Sequence, residues 1–339
     1  MRRVLVPLTV SSGPPAVGGV LHDVTGSTMG TSWSVRCVLP QSRTAAFACD
    51  ALADGLQLEL DTIVAQMSHW ESDSNLSRFN RAPAGSWHHV PEQFFEVLAY
   101  ALEVGRASGG AFDPCAGALV NLWGFGARTR YDDASFYAPA DGAVQAIVAR
   151  RDRERVELDP LQRRIHQGGA VQLDFSSVAK GYALDRLARY LDAAGIHHYL
   201  VEVGGELRGA GMKPDGQPWW VALEGVPDAG DSNPVVVALH GLAIATSGDY
   251  RRYYQHDGQR TSHTLDPRSG YPIRNGVASV TVIHAECMAA DALSTALTVL
   301  GPDDGLRFAE QQKLAARFLV RRGAALEETC SSAFMELLQ

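Results

Sequence analysis

Between His198 and Ala285 the chain carries five strand-like runs in succession: "HYLVEV", "PWWVALEG", "PVVVALHG", "LAIATSG" and "VASVTVIHA". A doubly wound parallel sheet requires a helical crossover after each strand, and this order supplies none. Strands and helices are mixed rather than alternating, so the expected fold class is α+β. Helices are expected where apolar residues recur at spacings of three and four, as in "RTAAFACDALADGLQLELDTIVAQMS" and "SVAKGYALDRLARYLDAAG". Another is expected in "PEQFFEVLAYALEVGRAS", opened by Pro91 and closed before Gly109-Gly110. Further strands are expected at "TSWSVRCVL", twice within "ERVELDPLQRRIHQ", at "VQLDF" and at "AARFLVRR".

No internal repeat and no long Pro/Gly/Ser linker divides the chain, so residues 21–339 are expected to form one domain. Residues 1–20 are expected to be a poorly ordered arm. They begin with two arginines and a short apolar run, as a secretory signal does, but Pro7 and "SSGPP" interrupt it. The expectation is a retained arm and a cytoplasmic protein, with no cysteine near the start to carry a lipid. No stretch approaches the roughly 20 apolar residues that span a bilayer. The composition, 46% hydrophobic and 20% charged, is that of a soluble globular chain. A net charge of −8 without a Lys/Arg run argues against nucleic acid as a partner. The five cysteines show neither C-x-x-C nor zinc-ligand spacing and read as reduced thiols.

Three stretches carry more polar chemistry than packing requires. In "ADALSTALTVL", Asp291, Ser294 and Thr295 fall on one helix face, an oxygen set of the kind Mg²⁺ prefers. The same spacing also suits Asp291 as a helix cap with Thr295 bonded back to a carbonyl, and spacing alone does not decide. In "LDFSSVAKGYALD", a strand ending at Asp174 turns into a helix bearing Lys180, a favourable place for phosphate oxygens. Its plain alternative is an N-cap at Ser176 or Ser177 with Lys180 in solvent. Neither this stretch nor "VGGELRGAG" matches the P-loop or the dinucleotide fingerprint. In "TSHTLDPRSGYPI", Pro267 and Gly270 fix the turn beside His263, which could serve as a general base, although a lone histidine is more often a satisfied structural residue. The rings of Trp70, Phe112, Trp123 and Phe125 suit an aromatic ligand or a core.

Eight stretches in order, "GSTMGTSWSV", "MSHWESDSNLSRFN", "GGAFDPCAGALVNLWGFG", "LDFSSVAKGYALD", "VGGELRGAG", "ATSGDYRRYY", "HTLDPRSGYPI" and "CMAADALSTALTVLG", resemble the ApbE family of flavin transferases. The resemblance runs from Gly26 to Gly301. It implies a single T-fold-related domain and Mg²⁺-dependent transfer of FMN from FAD to a Thr or Ser hydroxyl of an acceptor flavoprotein, with release of AMP. It implies FAD contacts at Met29, Trp70, Ala111, Phe112, Asp113, Asp174, Lys180 and Leu265. Metal ligands are implied at the side chains of Asp291 and Thr295 and the carbonyl of Ser177, with Ser294 as an additional candidate and His263 as the base. Trp70 stands where the family usually has tyrosine, Cys115, Ala116 and Ala118 depart from its "DPTVGPLV", and "SSVAKG" departs from "GGIAKG". Acceptors of this family carry a motif like D-G-x-S/T-G-A/S-S/T. The nearest stretch here, "DGQRTS", lacks the central glycine, so self-modification is not expected. The alternatives are an FAD pyrophosphatase, with water as nucleophile on the same metal site, and a non-catalytic flavin-binding protein.

Overall fold

The computed structural model describes residues 3–10, 13–15, 18–40, 45–128, 130–151, 156–169, 171–226, 235–250, 253–256, 259–323 and 325–338. Eight strands form the main sheet, each antiparallel to its neighbours. In order across the sheet they are β18 (Ala325–Cys330), β17 (Ala315–Arg322), β16 (Val277–His284), β11 (Leu242–Gly248), β8 (Glu206–Ala210), β7 (Tyr199–Val203), β3 (Thr31–Pro40) and β2 (Gly19–Thr28). Period-two alternation sets which residues face the helices. In β3, Trp33, Val35, Cys37 and Leu39 point into the core, while the residues between them are more exposed.

One face of the sheet is covered by α1 (Ala45–Met67), α6 (Ala179–Ala193) and α7 (Cys287–Gln311), with α3 (Glu92–Ala107) packed behind α7. Leu56 and Leu60 of α1, Tyr182 and Leu184 of α6, Leu297 of α7 and Val280 and Val282 of β16 belong to one buried cluster. The opposite face carries a small sheet of β1 (Arg3–Leu5), β10 (Val235–Leu239) and β9 (Trp219–Ala222), together with α8 (Ser332–Glu336). There Leu5, Trp219, Val237 and Phe334 pack on Ile244 and Ile283. Both faces of β16 are thus buried, which explains why "VASVTVI" reads as a continuous apolar run instead of alternating. Arg3–Leu5, within the stretch expected to be an arm, runs parallel to Val235–Val237, and Leu5 is fully buried.

The remaining elements lie outside the main sheet and its three covering helices. They are α2 (Asn75–Asn80), α4 (Gly117–Leu122), α5 (Asp141–Arg151), a sheet of β4 (Ser86–His89), β6 (Arg164–Gln167) and β5 (Glu157–Asp159), and the hairpins β12 (Tyr253–His256) with β13 (Gln259–Ser262) and β14 (Leu265–Asp266) with β15 (Tyr271–Pro272). The expected strand at "VQLDF" is not a ladder strand. It makes one bridge, Gln172 to Ala116, because side-chain amides take the place of a neighbouring strand. The Asn80 amide holds both the N–H and the C=O of Leu173, at 2.7 and 2.9 Å, and buried Gln167 does the same for Val171, at 2.8 and 3.0 Å.

Helix α7 begins three residues before the quoted run and is capped from outside itself. Glu286 at its N-cap makes no side-chain capping bond; Asp185 of α6 accepts the N–H groups of Cys287 and Met288, both at 2.9 Å, and also pairs with Arg208 of β8. A buried carboxylate with two helix N–H donors and a guanidinium is fully satisfied. The helix breaks at Gly301, where φ is 83° and Pro302 follows, while Asn275 Nδ2 bonds the Thr298 carbonyl at 2.9 Å. Asp185→Ala leaves those donors and Arg208 uncompensated, so urea unfolding is expected to show a loss of about 3 kcal/mol with an unchanged slope.

Candidate active site

Two tight hairpins turn side by side at one end of the main sheet. Thr28 pairs with Thr31 around Met29-Gly30, with φ of 50° and 73°, and Val203 pairs with Glu206 around Gly204-Gly205, with φ of 60° and 100°. Two-residue loops with both φ values positive match the twist of the flanking strands. Met29 adopts the left-handed region despite its side chain, an uncommon placement that the neighbouring ladder enforces. Gly204 N–H bonds the Ser32 carbonyl at 3.2 Å, joining the two turns. A Cβ at Gly204 would lie 3.0 Å from Thr31 Cγ2 and 3.6 Å from Lys180 Cδ. The turns and Lys180 therefore share one small volume.

Lys180 is only partly exposed. Its ammonium pairs with Glu206, a buried carboxylate at the start of β8, and the second oxygen of Glu206, Oε2, is buried without a hydrogen-bond partner. Burial pushes the Glu206 carboxyl up to about 7, Lys180 acting against this and Asp291 adding to it. Asp291, also buried, is raised for the same first reason, with Lys180 and the Gly181 N–H holding it down. One lysine thus serves two buried carboxyl groups.

Neither capping alternative survives in the structure. Asp291 lies in the second turn of α7, and its Oδ2 accepts the Gly181 N–H of α6 at 3.0 Å. Helix α6 has Val178 at its N-cap with no side-chain capping bond, and Ser176 instead turns its N–H (2.8 Å) and hydroxyl onto Asp174 Oδ1. In a regular helical turn the Gly181 N–H would bond the Ser177 carbonyl. Because Asp291 takes it, the Ser177 carbonyl is left for another partner at the same place. Thr295 does not bond back to a carbonyl either: Ser247 of β11 lies 2.8 Å from Ser294 Oγ and 3.1 Å from Thr295 Oγ1. Among the described residues no cluster of three His, Cys, Asp or Glu side chains could hold a metal. A cation here would rely on one carboxylate with hydroxyl and carbonyl oxygens, a set suited to a hard ion and to no soft one.

A second group lies across the strand-to-helix turn. Asp174 Oδ2 is 3.8 Å from His69 Nδ1, and the His69 ring lies 5.2 Å from the ring of Trp70, which is 51% exposed. An indole that open is available to stack on a flat ligand. The segment after Gly110 runs alongside, with Asp174 N–H bonded to the Pro114 carbonyl at 2.8 Å and Asp113 Oδ1 accepting the Cys115 N–H at 2.8 Å. Ala111 and the ring of Phe112 are buried, Phe112 in the main core. His263 faces Phe125, with ring centroids 6.1 Å apart, and Leu265 is buried with Leu119, Trp123 and Val144. The Trp123 indole N–H bonds the Gly270 carbonyl at 2.8 Å, tying the "HTLDPRSGYPI" turn to the aromatic segment. Asp257 and Gly258 of "DGQRTS" lie outside the described residues.

The protein-family model described as the ApbE family matches residues 29–318. The chain belongs to the ApbE family. It is 36% identical over 321 residues to the FAD:protein FMN transferase of Vibrio cholerae serotype O1, covering 93% of this chain and 92% of that one. It is likewise 36% identical over 333 residues to the FAD:protein FMN transferase of Klebsiella pneumoniae, covering 97% and 92%. Its fold superimposes on the apo form of the Pseudomonas stutzeri flavinyl transferase ApbE with a TM-score of 0.84 and 40% identity, over 94% of this chain and 97% of that one.

Within this ApbE-family site, Glu206, Ser247, His69 and Gly181 escaped the sequence reading. Each acts through a partner far away in the chain, and only the "E" of "VGGELRGAG" gave a visible signal, a carboxylate directly after a forced Gly-Gly turn. Glu206 also gives the metal-free protein a pH signature. The carboxyl ionises near its ordinary 4.5 when unfolded and near 7 when folded, so the folded state binds the extra proton and stability falls as pH rises across that window. Denaturation at pH 4.5 and pH 7.5 is expected to show that Glu206→Gln removes on the order of 2 kcal/mol of this decline.

Proposed function

We propose that this chain is an FAD:protein FMN transferase that moves FMN from FAD to a Ser or Thr hydroxyl of an acceptor protein and releases AMP. The observation that carries the reading is the meeting of Asp291, Lys180 and the Ser177 carbonyl at one turn, within a chain that belongs to the ApbE family. The shared name of its curated relatives favours a protein hydroxyl over water as nucleophile and catalysis over simple flavin binding.

In this reading Asp291, Thr295 and the Ser177 carbonyl hold Mg²⁺. When bound, Mg²⁺ offsets the pyrophosphate charge that repels a nucleophile and stabilises the departing phosphate. Lys180 binds pyrophosphate oxygens as a point charge, and Glu206 fixes its ammonium for that role. The exposed Trp70 ring stacks on the isoalloxazine, with Met29, Leu265 and the Ala111–Asp113 segment around the ligand and Asp174 beside it. The acceptor oxygen attacks the phosphorus on the FMN side, and the bond from that phosphorus to the bridging oxygen breaks. His263 takes the hydroxyl proton, and AMP carries away the bridging oxygen. The acceptor is a flavoprotein domain bearing a D-G-x-S/T-G-A/S-S/T-like motif.

The test is incubation of the purified chain with FAD, Mg²⁺ and a short domain carrying that motif. Intact mass should show the FMN increment on the acceptor with equimolar AMP, and EDTA should abolish both. AMP and free FMN without a modified acceptor would instead identify the pyrophosphatase. Asp291→Ala is expected to lower turnover at least about 100-fold. Trp70→Ala should raise the KM for FAD by roughly tenfold, the value of one lost aromatic stack, while Trp70→Tyr should stay near wild type.

A further inference from the structure

A Ser or Thr hydroxyl has one proton to donate and two lone pairs to offer. That rule assigns a direction to the three hydroxyls between α7 and β11. Ser294 Oγ lies 2.9 Å from the Asp291 carbonyl, which only accepts, so the Ser294 proton is spent there. In the 2.8 Å contact between Ser247 and Ser294, the donor is therefore Ser247. With its own proton committed, Ser247 can only accept in the 3.1 Å contact with Thr295. The chain runs from the Thr295 hydroxyl to Ser247, then to Ser294, then to the Asp291 carbonyl. Ser294 is fully buried, whereas Thr295 is half-buried. Ser247 is held by the ladder, opposite Val280 of β16.

We propose that Ser247 and Ser294 form a one-way hydrogen-bond relay that points the Thr295 proton at β11 and so presents the Thr295 oxygen lone pairs to the metal. This rests on the reading that Asp291 and Thr295 are metal ligands. Ser247 is a positioning residue, and Ser294, named above as a possible ligand, serves as the proton sink that fixes the direction of the relay. Without Ser294, Ser247 is able to turn its proton onto Thr295, whose oxygen then spends a lone pair on it. Without Ser247, the Thr295 hydroxyl has no fixed acceptor and its rotor is unconstrained.

The experiment is titration of the purified full chain with Mn²⁺, followed by its electron paramagnetic resonance signal, with urea unfolding of each variant as the folding control. Ser247→Ala is expected to weaken Mn²⁺ binding by roughly tenfold or more, the usual effect of losing a group that orients a metal ligand, and Ser247→Thr to restore it. Ser294→Ala is expected to weaken binding in the wild-type background and to have no further effect in Ser247→Ala, since it acts only through Ser247. Equal losses from Ser294→Ala in both backgrounds would make Ser294 a direct ligand and overturn the relay. So would wild-type affinity in a folded Ser247→Ala protein, or a folded Ser247→Thr protein as weak as the alanine variant. Wild-type affinity in Asp291→Ala would instead reject the underlying metal assignment.

Discussion

The close approach of α6 to α7 is the constraint on which the site depends. A Cβ at Gly181 would stand 2.3 Å from the Cys287 carbonyl oxygen and 2.8 Å from Asp291 Cβ, so only glycine permits the approach at that point. Gly181 lies in the first turn of α6, where glycine costs less than the roughly 1 kcal/mol it costs relative to alanine in a helix interior, and the contact it allows offsets that cost. The approach brings the Gly181 N–H onto Asp291 and lets Asp185, one turn further on, cap the start of α7. The carboxylate, the first turn of α6 and the lysine beside it are therefore fixed by one packing event.

The sheet determines what faces that junction. Strand ends of β3, β7, β8 and β11 meet there, and their turns are short enough to leave no slack: Met29-Gly30 on one hairpin and Gly204-Gly205 on the next. A site built from strand ends and helix starts keeps its groups in register far better than one built on long loops. The exposed indole of Trp70 stands just after the end of α1, beside His69 and Asp174, and the clamping amide of Asn80 holds the backbone next to Asp174.

Local periodicity made much of this legible in advance. The long helices, the α+β class and strands β7, β9, β10, β11, β16 and β17 follow from spacing, since each element buries its own stripe, whereas β8, β12, β13 and β18 were not among the expected strands. The eight ordered motifs pointed to the family because a flavin site draws on segments scattered along the chain. Relations between segments were not legible. Asp291 read equally as a cap or a ligand until the third dimension put Gly181 opposite it, and Lys180 read as a phosphate-binding or as a solvent residue, with nothing in the spacing to place Glu206 beside it. "VQLDF" looked like a strand because its apolar pattern is one, yet Asn80 and Gln167 occupy the bonds a neighbouring strand would have made. β2 escaped notice because its pattern is weak: its exposed positions mix Val20 and Leu21 with Asp23, Thr25 and Ser27, as an edge strand permits.

The charges at the junction explain why these parts belong together. Asp185 and Arg208 neutralise one another, so they add structure without adding net field. Lys180 stands against both Glu206 and Asp291, so with both carboxyls ionised the protein's own groups sum to one negative charge in a buried setting. Burial resists that sum by favouring protons on the carboxyls, whereas a divalent cation would reverse its sign and favour their ionised forms. A site of net positive charge, with an ammonium and hard oxygen ligands around it, complements a pyrophosphate. In the proposed reading the same arithmetic gives the Thr295 hydroxyl, oriented by Ser247, its use: a neutral oxygen would add a ligand without adding the charge that a third carboxylate would bring into a buried site already one lysine short.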